Sequence, residues 1–208
     1  MSISDIIKGS KEFQNQTYLD HKENFIDLID NGQKPKVLFI GCSDSRVVPN
    51  LITNSGPGDL FIIRNIGNFV PPHDVDFPST PAAIEYAVSA LEVDTILICA
   101  HSQCGAIRSL YQDLDAPEFK HVKRWLSLGQ KAKNIIDLTD KSETLDEKFH
   151  NLEKVSAIFQ AENLLTYPSI KERVEAGKLE IRVWHYSIRD GKIEEYDKNV
   201  AQFIPLEK

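Results

Sequence analysis

Cysteine is scarce in this chain: there are three in 208 residues, Cys42, Cys99 and Cys104. An odd, sparse count excludes a disulfide scaffold and points to a reducing compartment. No apolar run approaches the ~20 residues that a membrane-spanning helix needs. Basic charge is in deficit, with 24 Lys and Arg against 31 Asp and Glu and a net charge of -7. With no dense Lys/Arg cluster either, nucleic acid and anionic membranes are excluded as main partners. The opening "MSISDIIKGSKEF" lacks a basic segment followed by a long apolar stretch. No secretory signal is therefore expected, and the expected location is the cytoplasm. Internal repeats and low-complexity segments are also missing.

What the chain does have is an ordinary globular composition, 41% hydrophobic and 26% charged, in a length that suits one domain with a substantial core. Short continuous apolar runs recur: "KVLFIGC", "LFIIRNI" and "DTILICAH". Such runs mark strands buried on both faces. Helical patterns stand between and after them. "STPAAIEYAVSALEV" opens on a Ser/Thr cap with Pro81 in the first turn. "CGAIRSLYQ" starts at or just after Cys104. "HVKRWLSLGQKAKNII" and "LDEKFHNLEKVSAIFQAENLLTYP" follow, and "SIKERVEAG" stops at Gly177. "LEIRVWHYSI", Asp190-Gly191 and "KIEEYD" read as a strand and hairpin. The alternation predicts an α/β fold with a mainly parallel central sheet flanked by helices and a C-terminal hairpin. Residues from Ile3 to Asp30 read as helix without a clean apolar stripe, as in an arm that packs outside the core. One domain over 1–208 is expected, with a helical arm over 1–33 and an α/β core over 34–208.

Two polar pairs interrupt the apolar strand ends. Cys42 and Asp44 follow the first strand, and His101 and Cys104 follow the third. Ligands of open parallel sheets bind outside the carboxyl ends of the strands. His101 and Cys104 are three positions apart at a helix start, a spacing that can turn both side chains to one point. Two thiolates and one imidazole suit zinc. Three protein ligands are a catalytic count that leaves the fourth position to water, whose pKa zinc lowers to roughly 7. Asp44 would orient the bound hydroxide, and Arg46 would keep Asp44 ionised and off the metal through a bidentate clamp. Cys99, inside the third strand, reads as a buried apolar residue. A cysteine-phosphatase loop would need its arginine at position 48, which is Val48. A structural zinc site with Asp44 as fourth ligand is the non-catalytic alternative, and the clamp of Arg46 argues against it.

"CSDSR" followed by "HSQC" resembles the β-class carbonic anhydrases. The likeness extends through "PGDLFIIRNIGNFVPP", "AAIEYAV" and "ENLLTYPSIKE" to nearly the whole chain. It implies reversible hydration of carbon dioxide to bicarbonate and a proton, with one zinc per chain on Cys42, His101 and Cys104 and a dyad of Asp44 and Arg46. It also implies a homodimer or dimer of dimers gripped by N-terminal helices, and a place in carbon utilisation. Gln33, nine positions before Cys42, matches the glutamine of the plant-like, constitutively open branch. Phe61 and Tyr86 match pocket residues that come from the partner subunit in that branch, and Gly105 follows Cys104 as expected. The other branch carries tryptophan where this chain has Phe39. Ala100, Ala106, Val183 and His185 depart from the family pattern. The same scaffold also serves hydrolysis of carbon disulfide or carbonyl sulfide.

Overall fold

The computed structural model describes residues 1–206. The helices are α1 (Ile3–Glu12), α2 (Tyr18–Asp20), α3 (Lys22–Asp30), α4 (Pro49–Thr53), α5 (Ser79–Glu85), α6 (Gly105–Ser109), α7 (Lys120–Leu126), α8 (Gln130–Thr139), α9 (Leu145–Leu164) and α10 (Pro168–Glu175). The strands are β1 (Val37–Cys42), β2 (Leu60–Asn65), β3 (Thr95–His101), β4 (Glu180–Tyr186), β5 (Ile193–Asp197) and β6 (Gln202–Pro205). They form one sheet in the order β2-β1-β3-β4-β5-β6. The first four strands are parallel, and β5 and β6 add antiparallel to the edge. This is the mainly parallel α/β sheet that the apolar runs foretold. β6 is an addition; its "QFIP" is too short to give a period.

Order and direction follow from side-chain chemistry. β1 is buried along almost its whole length, as a central strand between β2 and β3 must be. Leu38 and Ile40 join Ile96, Ile98, Ile181 and Val183 on one face. Ile84, Ala87 and Val88 from the α5 region and Ala157, Leu164 and Ile170 from α9 and α10 cover that face. At the carboxyl end a second cluster of Val47, Phe69, Ala106, Ile107, Leu126 and Leu152 surrounds Cys42 and Cys104. α9 is set by a capping box: Thr144 and Glu147 satisfy each other's backbone N–H groups. Proline opens α10, and the chain leaves it through Gly177 at φ 67°.

Two local expectations differ from the observed chain path. The segment over 3–30 is helical but broken: α1 runs into a wide turn over Phe13–Thr17, and His21 separates α2 from α3. None of α1, α2 or α3 buries a residue within this chain. The arm meets the core where Asn24 donates to the Pro57 carbonyl at 3.0 Å and Leu28 lies over Gly58. Gly58 has φ 89°, and a Cβ there would stand 2.6 Å from Leu28. The second difference concerns α5. Its N-cap is Pro78, with no side-chain cap, so Ser79 and Thr80 lie inside the helix. Thr80 is buried there, with its hydroxyl near the Asn65 amide.

Candidate active site

β1 and β3 are neighbours, yet the chain leaves β1 for β2 on one side and β3 for β4 on the other. Their carboxyl ends therefore flank a crevice at the topological switch point. Cys42 ends β1 and His101 ends β3. His101, Ser102 and Gln103 turn the chain so that Cys104 becomes the N-cap of α6. The convergence of His101 and Cys104 is thus not a helical i, i+3 effect. Gln103 makes it, in the left-handed region at φ 61°.

The ligand atoms of Cys42, His101 and Cys104 lie within 4.8 Å of one another, and all three residues are buried. His101 Nδ1 is 2.9 Å from the Ser102 carbonyl oxygen. A proton on Nδ1 makes that contact a hydrogen bond and leaves the Nε2 lone pair free. Nε2 is buried and has no protein partner, an arrangement that makes sense for a metal-binding nitrogen. Gly67 donates its N–H to Cys42 Sγ at 3.4 Å. Hydrogen bonding from Cys104 pulls the Cys42 thiol down to about 4 against the effect of burial, helped by His101 and by backbone N–H groups. Cys104 is pushed up by its contact with Cys42 and by burial. A single thiolate is thus ready and the second is opposed, which is the state that a divalent cation relieves. The donor set fits zinc in type and number.

Asp44 stands beside this set. Its carboxylate accepts from Arg46 Nε at 2.9 Å and from Arg46 Nη2 at 2.7 Å, one bond on each oxygen. Arg46 holds Asp44 well below the usual carboxylate range, with burial opposing. Arg46 also donates to the Gln103 carbonyl at 3.1 Å, which ties the β1 loop to the β3 loop. Arg64 on β2 braces the same turn through the carbonyls of Cys42 and Asp44. A cavity of about 270 Å³ opens here, lined by Cys42, Asp44, Ile66, Gly105, Ala106 and Leu126 among others.

The remaining site candidates lie elsewhere. Gln33 is exposed in a groove at the amino edge of the sheet, with Lys36, Glu92 and Lys178. Phe61 pairs with Leu38 near the start of β1, and its ring lies 5.9 Å from that of Tyr86. Within one chain none of the three joins Cys42. Cys99 is fully buried and its thiol is pushed up to about 12 by burial, so it is inert packing as expected. By residue type alone His73 and His185 could carry the proton away; His73 is half exposed beside Glu85, whereas His185 is buried.

Three contributors escaped the sequence reading. Arg64 left a signal, a charge inside an apolar strand. Gly67 left its φ requirement, invisible without coordinates: it sits at 77°, and a Cβ would meet that of Ala106 at 2.9 Å. Glu153 accepts from the Cys104 N–H at 3.0 Å although it is 3% exposed. Its helix is charged on several sides, so no stripe singled it out.

A family model described as carbonic anhydrase matches residues 37–193. A carbonic anhydrase of Synechococcus elongatus is 38% identical over 189 residues, covering 90% of this chain and 69% of that one. One from Helicobacter pylori is 36% identical over 206 residues, covering 96% and 93%. The chain belongs to the carbonic anhydrases, in their β class. It is an enzyme, a lyase that interconverts carbon dioxide and bicarbonate. Among solved structures, the β-carbonic anhydrase CcaA superposes with a TM-score of 0.91 at 34% identity, covering 99% of this chain and 92% of that one. A tetrameric β-carbonic anhydrase of Sordaria macrospora gives 0.81 at 29% identity, covering 93% and 95%. No described helix of this carbonic anhydrase is long and apolar enough to cross a membrane.

Proposed function

We propose that Cys42, His101 and Cys104 hold one catalytic zinc per chain and that Asp44, clamped by Arg46, orients the attacking water. One observation carries the reading: three convergent donors lie beside a carboxylate whose two oxygens are both engaged by one guanidinium. Bound there, zinc lowers the pKa of a water toward about 7 and so supplies the nucleophile near neutral pH. The chain's own groups do the rest. Both thiols ionise and balance the dication, and His101 keeps its Nδ1 proton on Ser102 while offering Nε2. Arg46 keeps Asp44 charged and engages both of its oxygens, so the role of a fourth ligand in a purely structural site does not suit it. With zinc in place, the carboxylate would accept the O–H of that water and so turn an oxygen lone pair toward carbon. Ile66, Ala106 and Leu126 give the cavity an apolar wall suited to carbon dioxide. At Gly105 a Cβ would meet no protein atom within 4 Å; its absence leaves that space to substrate.

Gln33, Phe61 and Tyr86 serve a neighbouring subunit's site in this reading, the arrangement of the open branch. They share the amino half of the sheet, while the metal donors sit at its carboxyl end. A homodimer or dimer of dimers follows. The arm exposes Ile6, Ile7, Phe13, Leu19, Ile26 and Ile29, a hydrophobic series in search of a cover. The chain over 1–208 then acts as one domain, with 1–33 as dimerisation arm and 34–208 as core.

Asp44→Asn tests the mechanism. The variant should keep its zinc and lower kcat/KM for carbon dioxide by roughly 10²-fold or more. Unchanged turnover would remove Asp44 from the reaction. Carbonyl sulfide assayed beside carbon dioxide decides substrate preference, and carbon dioxide should be preferred.

A further inference from the structure

Behind Cys104, on the α9 side of the sheet, the structure gathers a second set of donors. His150 and Glu153 lie three apart on α9, and His185 projects from β4. One ligand atom from each falls within 4.8 Å of the others. Glu153 Oε2 is 3.1 Å from His185 Nε2 and 3.9 Å from His150 Nδ1. Two ligands on one tetrahedral metal at ~2.1 Å stand ~3.4 Å apart, so these separations need only small rotations. Glu153 and His185 are 3% and 1% exposed, while the His150 side chain is 45% exposed. The set is therefore closed on the protein side and open on the solvent side.

We propose that His150, Glu153 and His185 form a second divalent-cation site, taking Zn²⁺ or Co²⁺ with solvent in the remaining position. Two imidazoles and one carboxylate are a recognised zinc donor set with an open fourth place. Two further observations support it. His185 Nδ1 is buried without a hydrogen-bond partner, and it lies 3.8 Å from Glu194 Oε2. With Nε2 on a cation, Nδ1 carries the proton and points it at that carboxylate, the outer-shell arrangement that fixes a metal-binding histidine. Lys154 neutralises Glu194 at 2.7 Å, so the outer carboxylate is held rather than free to become a competing ligand. Burial and the nearby His185 and Lys154 lower the pKa of His150. The other oxygen of Glu153 stays on the Cys104 N–H. In the sequence His185 departs from the family pattern; here it has a partner set.

Zinc stoichiometry tests the site. Enzyme dialysed against metal-free buffer should retain the tightly held zinc of the Cys42 cluster. Equilibrium dialysis against micromolar free Zn²⁺ should then add a second equivalent. His150→Ala, at a half-exposed position, and His185→Gln should each weaken that second equivalent at least tenfold. Circular dichroism and the first zinc should be retained in both. Saturation of the parent at one equivalent would overturn the proposal. So would survival of the second equivalent in either folded variant, since exposed His21, His73 or His121 would then be holding it.

Discussion

At the residue scale the account rests on one ion pair and one amide. Arg46 depresses the pKa of Asp44, so the pair contributes stability in full above the unfolded value near 3.9 and loses it as pH falls through the lower folded value. Asp44→Asn should therefore differ from the parent in unfolding free energy by a constant amount from about pH 8 to about pH 5. The gap should shrink under about pH 4, which chemical denaturation at stepped pH would read. A gap that widens on acidification would mean that Asp44 is protonated in the native protein. Gln33 carries the branch assignment. Nothing in its own chain needs its amide, since it is exposed roughly 17 Å of strand away from Cys42. An amide that donates to substrate across a subunit boundary stabilises developing oxygen charge without giving up a proton. A main oxyanion contact is worth roughly 2.7–4 kcal/mol, and sharing with zinc should reduce this. Gln33→Ala is expected to lower kcat/KM by about tenfold to a hundredfold with zinc and oligomeric state unchanged. A parental rate would return Gln33 to the status of a loop residue.

At the element scale, what was legible was whatever a local period or a local spacing encodes. β1 and β3 announced themselves because a strand buried on both faces must be apolar throughout. β4 and β5 did so through the Asp190-Gly191 turn between them. Cys42 and His101 could then be placed at strand ends, and parallel strands put like ends together. The rest needed three dimensions. The left-handed turn at Gln103 looks like any polar loop in sequence, and it alone brings Cys104 round to His101. Glu153 reaches the Cys104 N–H from 49 positions away, a distance no window spans. The arm was legible as helix but not as a broken one, because the wide turn at Phe13–Thr17 costs no helical propensity. None of α1, α2 or α3 buries a residue within this chain. Deleting residues 1–33 should consequently yield aggregated or inactive protein in size-exclusion chromatography. A soluble, active, monodisperse monomer would show the arm to be dispensable.

At the scale of the whole molecule, the sheet divides the work between its two ends. The carboxyl end gathers the donor triad, the clamped carboxylate and a small apolar cavity. The amino end gathers Gln33, Phe61 and Tyr86, with a helical arm that buries nothing of its own. In the proposed reading, such a subunit carries every residue the reaction uses and completes a site only against another copy. The central claim is that catalysis depends on a metal held by Cys42, His101 and Cys104. Stopped-flow measurement of carbon dioxide hydration, with zinc quantified on the same dialysed samples, tests it in one comparison of the parent with Cys104→Ser. The parent should hold about one zinc per chain and hydrate carbon dioxide rapidly, and the variant should lose zinc and turnover together. A zinc-loaded parent without hydration activity, or a Cys104→Ser protein that keeps full zinc and full turnover, would contradict the account.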